Sequence, residues 1–166
     1  LQDCDEIEEL DLPFSGASLS DGETRVWFGY IFGAGSVSAN AAYVPKNLKT
    51  LSIRQVVKSH WTEIFWYLSN NELKNIESIL LPIGLTNIAD NAFHNCSNLT
   101  SVTIPEGVTS ISYCAFYNCS SLTSITIPES TNIIGEMAFY GCSSLTSITI
   151  PEGVTSIGGW AFEGCC

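Results

Sequence analysis

Basic residues are scarce in this chain. Its 166 residues carry six Lys and Arg against 17 Asp and Glu, a formal net charge of −11. From Asn75 to Cys166 there is neither Lys nor Arg. Nucleic acids and anionic membrane surfaces are held by clustered cationic side chains, so nucleic acid is not an expected partner. The second half also has no side chain suited to gripping a phosphate or carboxylate substrate. Charge of either sign is sparse at 14%, while apolar residues make up 45%, a balance that excludes intrinsic disorder. No apolar run approaches the length of a membrane span, so membrane insertion is not expected. Cys-x-x-Cys pairs are missing, which argues against zinc. No Asp/Asn cluster supplies the 6–8 oxygens that calcium takes. His60 and His94 stand alone, with no Ser-His-Asp or Cys-His spacing around them. Neither catalysis, nor a cofactor, nor a metal is expected.

What the chain has is a repeat. Leu99-Thr-Ser-Val-Thr-Ile104-Pro105 recurs as Leu122-Thr-Ser-Ile-Thr-Ile127-Pro128 and as Leu145-Thr-Ser-Ile-Thr-Ile150-Pro151, each copy 23 residues after the last. A weaker copy, Ile76-Glu-Ser-Ile-Leu-Leu81-Pro82, precedes them at the same interval. Four coils follow: 76–98, 99–121, 122–144 and 145–166. Apolar columns line up through them, among them Ile79/Val102/Ile125/Ile148 and Ile88/Ile111/Ile134/Ile157. Three columns are uniform: Ala92/Ala115/Ala138/Ala161, Phe93/Phe116/Phe139/Phe162 and Cys96/Cys119/Cys142/Cys165.

The alternation in Leu-x-x-Ile-x-Ile predicts a strand with one buried face. Pro-Glu-Gly at 105–107 and 151–153 predicts a type I turn with Pro at i+1 and Gly at i+3. Val-Thr-Ser-Ile suits a second short strand, and Ala-Phe-x-x-Cys a tight turn that tucks Phe into the centre. One coil buries too few side chains to offset its own ordering, so stability must come from stacking. The expected architecture is one strand-rich solenoid over 1–166, with parallel β ladders joined by short turns or 3-10 segments. Residues 1–75 form an atypical N-terminal region with lengthened coils. Ser59–Leu68, with Trp61, Ile64, Phe65 and Leu68 on one face, predicts one short helix there. The start at Leu1 and the end inside a repeat are expected of a piece of a longer protein.

The unit Leu-Thr-Ser-Ile-Thr-Ile-Pro-Glu-Gly-Val-Thr-Ser-Ile-Gly-x-x-Ala-Phe-x-x-Cys-Ser-Ser resembles the BspA-like class of leucine-rich repeats, and the likeness covers 76–166 closely. The first half fits more loosely. Leu48-Lys-Thr-Leu51-Ser-Ile53 and Ile7-Glu-Glu-Leu10-Asp-Leu12 are recognisable coil starts, whose coils run 28 and 41 residues. The block from Pro13 to Thr50 is similar to insertions that interrupt arrays of this class. The resemblance implies a secreted or cell-surface protein that works by binding, often in adhesion. The expected function is therefore a non-catalytic module that binds an extracellular protein or glycan through its repeat face. The alternative is a structural spacer that associates end to end and displays other domains.

Candidate binding residues fall in two sets. Ser101, Thr103, Ser124, Thr126, Ser147 and Thr149 point away from the core on the first strand, with Ser78 and Leu80 heading their columns. They form either a docking face or a plain solvated strand face, since Thr favours strands anyway. Their regularity also raises ice or crystal-surface binding. Tyr117 and Tyr140 follow His94 in a second column, with Trp160 nearby, aromatics of the kind enriched at interfaces. Their other reading is cover for the next coil. The Cys column is expected to be a ladder of buried free thiols rather than disulfides, because Cβ vectors in one column run parallel. Glu106, Glu129 and Glu152 read as a solvated edge. Phe32–Ser38 half-resembles a Gly-rich phosphate loop but lacks the third Gly and the helix that the fingerprint needs. A turn-rich insertion accounts for its glycines.

Overall fold

The computed structural model describes residues 6–12, 47–53 and 73–166. The Phe32–Ser38 loop, the block from Pro13 that contains it, His60, the helix expected over Ser59–Leu68 and Cys4 lie outside the described residues. No helix occurs among the described residues.

Coils 76–98, 99–121 and 122–144 each contribute one strand to each of two parallel sheets, and coil 145–166 contributes one to the second. The first contains β1 (Glu9–Leu12), β2 (Thr50–Ile53), β3 (Ser78–Leu80), β5 (Ser101–Thr103) and β7 (Ser124–Thr126), in the order β1-β2-β3-β5-β7. The second contains β4 (Asn87–Ile88), β6 (Ser110–Ile111), β8 (Ile133–Ile134) and β9 (Ser156–Ile157), in the order β4-β6-β8-β9. Register follows the repeat: Ser78 pairs with Ser101 and Ser101 with Ser124, while Ile88 pairs with Ile111 and Ile111 with Ile134. The coil starts at Ile7 and Leu48 join the same sheet, with Glu9 opposite Thr50 and Thr50 opposite Ser78.

Alternation sets the faces. Val102 and Ile125 are buried between exposed neighbours. Ile79, Leu81, Ile88 and their column mates through Ile125, Ile127 and Ile134 meet the Ala and Phe columns in one core. The Phe side chains stack ring on ring, at 5.0 Å between Phe93 and Phe116, 5.3 Å between Phe116 and Phe139, and 5.4 Å between Phe139 and Phe162.

The turn after the first strand closes one residue later than Pro at i+1 would give. The Val108 N–H donates to Pro105 O at 3.4 Å and the Thr131 N–H to Pro128 O at 3.0 Å, so Pro occupies position i. Gly107 then stands at i+2 with φ +97°, a conformation that a type II turn requires and glycine adopts without strain. Ser130 takes the same position without left-handed backbone. Its hydroxyl accepts from the Gly107 N–H at 3.0 Å and donates to Val108 O at 2.9 Å, which ties two turns together.

The third side of each coil is a run of turns. Here N–H groups donate forward: Phe93 to Ala115 O, Phe116 to Ala138 O and Phe139 to Ala161 O, all within 2.8 Å. Left-handed backbone recurs here in two columns, Asn91, Cys114, Met137 and Trp160 with φ between 52° and 57°, and Asn95, Asn118, Gly141 and Gly164 with φ between 57° and 78°. Asn and Gly tolerate that conformation; for other residues it costs about 1–2 kcal/mol. Trp160 is 59% exposed, so little packing offsets its strain.

Cys96, Cys119 and Cys142 are buried free thiols, in line with the expected ladder. The Cys119 thiol donates to Phe93 O at 3.1 Å and the Cys142 thiol to Phe116 O at 3.2 Å, so the column adds inter-coil bonds of its own. Burial pushes the Cys96 thiol up to about 12 from an ordinary value of 9.0.

Three outcomes follow from this packing. Trp160→Asn raises stability by about 1 kcal/mol, read from the urea midpoint, because Asn accepts the left-handed backbone at lower cost. Native protein treated with iodoacetamide leaves Cys96, Cys119 and Cys142 unlabelled, and denatured protein labels all three, as peptide masses report. Between pH about 9 and about 12 the unfolded Cys96 thiol ionises while the folded one stays protonated. The folded state then binds more protons, so stability falls as pH rises through that window. Cys96→Ala flattens this slope even though it lowers stability overall.

Candidate functional site

The outer face of the first sheet is built by the same alternation that buries Val102 and Ile125. Ser101, Thr103, Ser124 and Thr126 stand exposed on β5 and β7. No charged side chain lies in these columns from β2 onward. Two classes of threonine separate here. Thr100, Thr109, Thr123 and Thr155 donate their hydroxyls to backbone carbonyls of the preceding coil at 3.0, 3.0, 3.1 and 3.2 Å. Thr131 does the same from a fully buried position, at 3.0 Å to Val108 O. By contrast, the hydroxyls of Ser101, Thr103, Ser124 and Thr126 have no protein partner among the described residues. They are free to exchange water for a ligand.

Ser147 and Thr149 continue these columns and are exposed, but they do not lie on a strand as expected. The first sheet ends at β7. No later strand packs on the far side of 147–149, and an open cavity of about 190 Å³ lies against it, lined by Leu145, Ile148, Phe162 and Cys165 among others.

The aromatic column stands apart from the hydroxyl face, on the side of the coil made of turns. His94 stacks on Tyr117 at 4.8 Å and Tyr117 on Tyr140 at 5.0 Å, with ring planes within 6°. Both faces of Tyr117 are thus occupied, and a ligand meets ring edges there. Burial holds the His94 imidazole below its ordinary value of 6.5. Trp160 projects from the neighbouring left-handed column. The nine candidate residues therefore form two separate surfaces.

Glu106, Glu129 and Glu152 form an exposed row at the turn that follows the first strand. Two residues break the repeat at this corner. Leu80 stands where the next three coils have Thr, and Ile83 where they have Glu; they are 52% and 81% exposed. Ile83 is missed when only the shared columns are aligned. Its signal is an apolar residue in a column otherwise made of carboxylates. Among the described residues no group of His, Cys, Asp and Glu is arranged to hold a metal ion, and no helix is long and apolar enough to cross a membrane.

Comparison with known proteins adds to this picture. The family described as BspA type leucine rich repeat region (6 copies) matches residues 67–166. No curated protein matches the chain. Among solved structures, a leucine-rich repeat protein of T. pallidum superposes with a TM-score of 0.60 at 25% identity, over 70% of this chain and 54% of its own. One from Bacteroides ovatus gives 0.57 at 33% identity, over 69% of this chain and 30% of its own. One from Eubacterium ventriosum shares the fold at 0.60 and 23% identity, over 74% of this chain and 32% of its own. The chain thus spans about half or less of the solved proteins it resembles.

The two classes of threonine differ measurably. Thr123→Val loses an inter-coil hydrogen bond and lowers stability by about 1 kcal/mol in urea unfolding. Thr126→Val, which breaks no protein hydrogen bond, leaves the midpoint unchanged within about 0.3 kcal/mol.

Proposed function

This chain belongs to the BspA-type leucine-rich repeat family, and from that we propose that it is a non-catalytic binding module that docks an extracellular protein or glycan on its first sheet. The observation that carries the reading is the row of exposed hydroxyls on β5 and β7 that the fold leaves unused. Neighbouring threonines of the same coils spend theirs on inter-coil bonds. The face is pre-formed, since parallel ladders on both sides of the core fix it, and a partner therefore orders little on binding. Repetition of one weak contact from coil to coil multiplies affinity. Secretion or display at a cell surface follows from the family resemblance and belongs to the same proposal.

A second reading, a spacer that stacks end to end, draws on the uniformity of the outward Ser and Thr columns.

A screen against extracellular-matrix proteins and a glycan array, at about 0.15 M salt so that long-range charge effects are damped, tests the first reading. Wild type gives a saturable partner that is lost when Thr103, Thr126 and Thr149 are all changed to Lys. Tyr117→Ala with Tyr140→Ala retains it. No partner, together with mass growing with concentration in analytical ultracentrifugation, favours the spacer.

A further inference from the structure

Coil 76–98 keeps the repeat at most outward positions. It has Ser78, Pro82 and Gly84 where later coils have Ser101, Pro105 and Gly107. Among its outward departures, which include Glu77 and Asp90, two are large and aliphatic, and both lie where β3 runs into its turn. Leu80 replaces the Thr of the next three coils, and Ile83 replaces their Glu. Core packing does not explain the change, because both side chains face solvent. Large exposed aliphatic groups set together on an otherwise hydroxylated and acidic surface mark an interaction site.

The neighbours say what fits. Stacked coils lie roughly 4.8 Å apart, so along the solenoid the column from Ile83 continues as Glu106, Glu129 and Glu152, all exposed. No cation follows Lys74 in the sequence to neutralise that row. The described Lys49 is already paired with Glu8 at 3.3 Å. We propose that the Leu80–Ile83 corner and the glutamate row together seat a cationic protein segment, an aliphatic or aromatic side chain resting on Leu80 and Ile83 and Lys or Arg side chains lying against Glu106 and Glu129. A desolvated apolar anchor carries most of such an interface's energy, and the flanking charges speed encounter and set orientation. The proposal rests on the binding-module reading and names its partner class.

Selection from a random peptide library displayed on phage tests it. The selected peptides are synthesised and titrated against wild type, against Leu80→Thr with Ile83→Glu, and against Glu106→Gln with Glu129→Gln. The first double variant installs residues that three other coils already carry, so circular dichroism and the melting temperature stay those of wild type. Wild type enriches peptides that join an aliphatic or aromatic residue to Lys or Arg. Their affinity falls at least tenfold on each double variant and declines as salt rises. Failure to enrich any peptide, enrichment without that signature, or equal affinity for Leu80→Thr with Ile83→Glu overturns the proposal. A matrix protein or glycan that is lost on the Thr103, Thr126 and Thr149 to Lys variant but binds Leu80→Thr with Ile83→Glu unchanged also overturns it, and leaves the binding-module reading standing.

Discussion

The backbone hydrogen bonds between coils are what the rest of this structure depends on. On the strand sides, N–H groups donate back to the preceding coil, as Thr123 does to Thr100 O at 3.0 Å. On the turn side they donate forward, as Phe116 does to Ala138 O at 2.7 Å. A buried backbone group needs a partner, and here most partners lie one coil away. A coil by itself leaves them unsatisfied. Within 76–166 this holds the 23-residue step, because a one-residue slip of a strand would shift its bonds and turn its apolar face outward.

Translation along the stack then makes every column a ladder. Inside, it gives the Phe stack at 5.0–5.4 Å and thiols that bond carbonyls of the coil before. Outside, it gives hydroxyl rows and a glutamate row. The cost sits at the forward-bonding turns, where Cys114, Met137 and Trp160 adopt backbone that Asn91 takes more easily. Against so regular a background, breaks in a column carry information. Leu80 and Ile83 are such breaks, and their exposure separates them from the conservative exchanges of the core, such as Val102 for Ile79. The same background separates threonines that hold coils together from threonines that face solvent, a distinction that composition conceals.

Much of this was legible in the residues. The period, the columns, the two strands per coil and the tucked Phe all follow from alternation and spacing, since only one face of a short strand can be buried. The reduced Cys column followed from parallel Cβ vectors. The turn register did not: Pro-Glu-Gly fits two turn types, and the choice depends on whether the backbone of Gly107 goes left-handed. The fate of Ser147 and Thr149 was also hidden. Their sequence is that of Ser124 and Thr126, yet 147–149 forms no strand, while Ser156–Ile157 of the same coil pairs with β8.

The sequence by itself determined the solenoid, its step and its core, because an apolar pattern repeated at a fixed interval has only one arrangement that buries it. It also determined the acidic character of the second half, which has no Lys or Arg. The tertiary structure alone decided which hydroxyls are spent and which are free, since identical Thr side chains differ only in whether a carbonyl of the preceding coil lies within reach. It alone separated the Thr face from the Tyr stack, and set Leu80 and Ile83 exposed at one corner, because which side of a coil a residue occupies is fixed by turns whose backbone conformation the residues constrain only loosely.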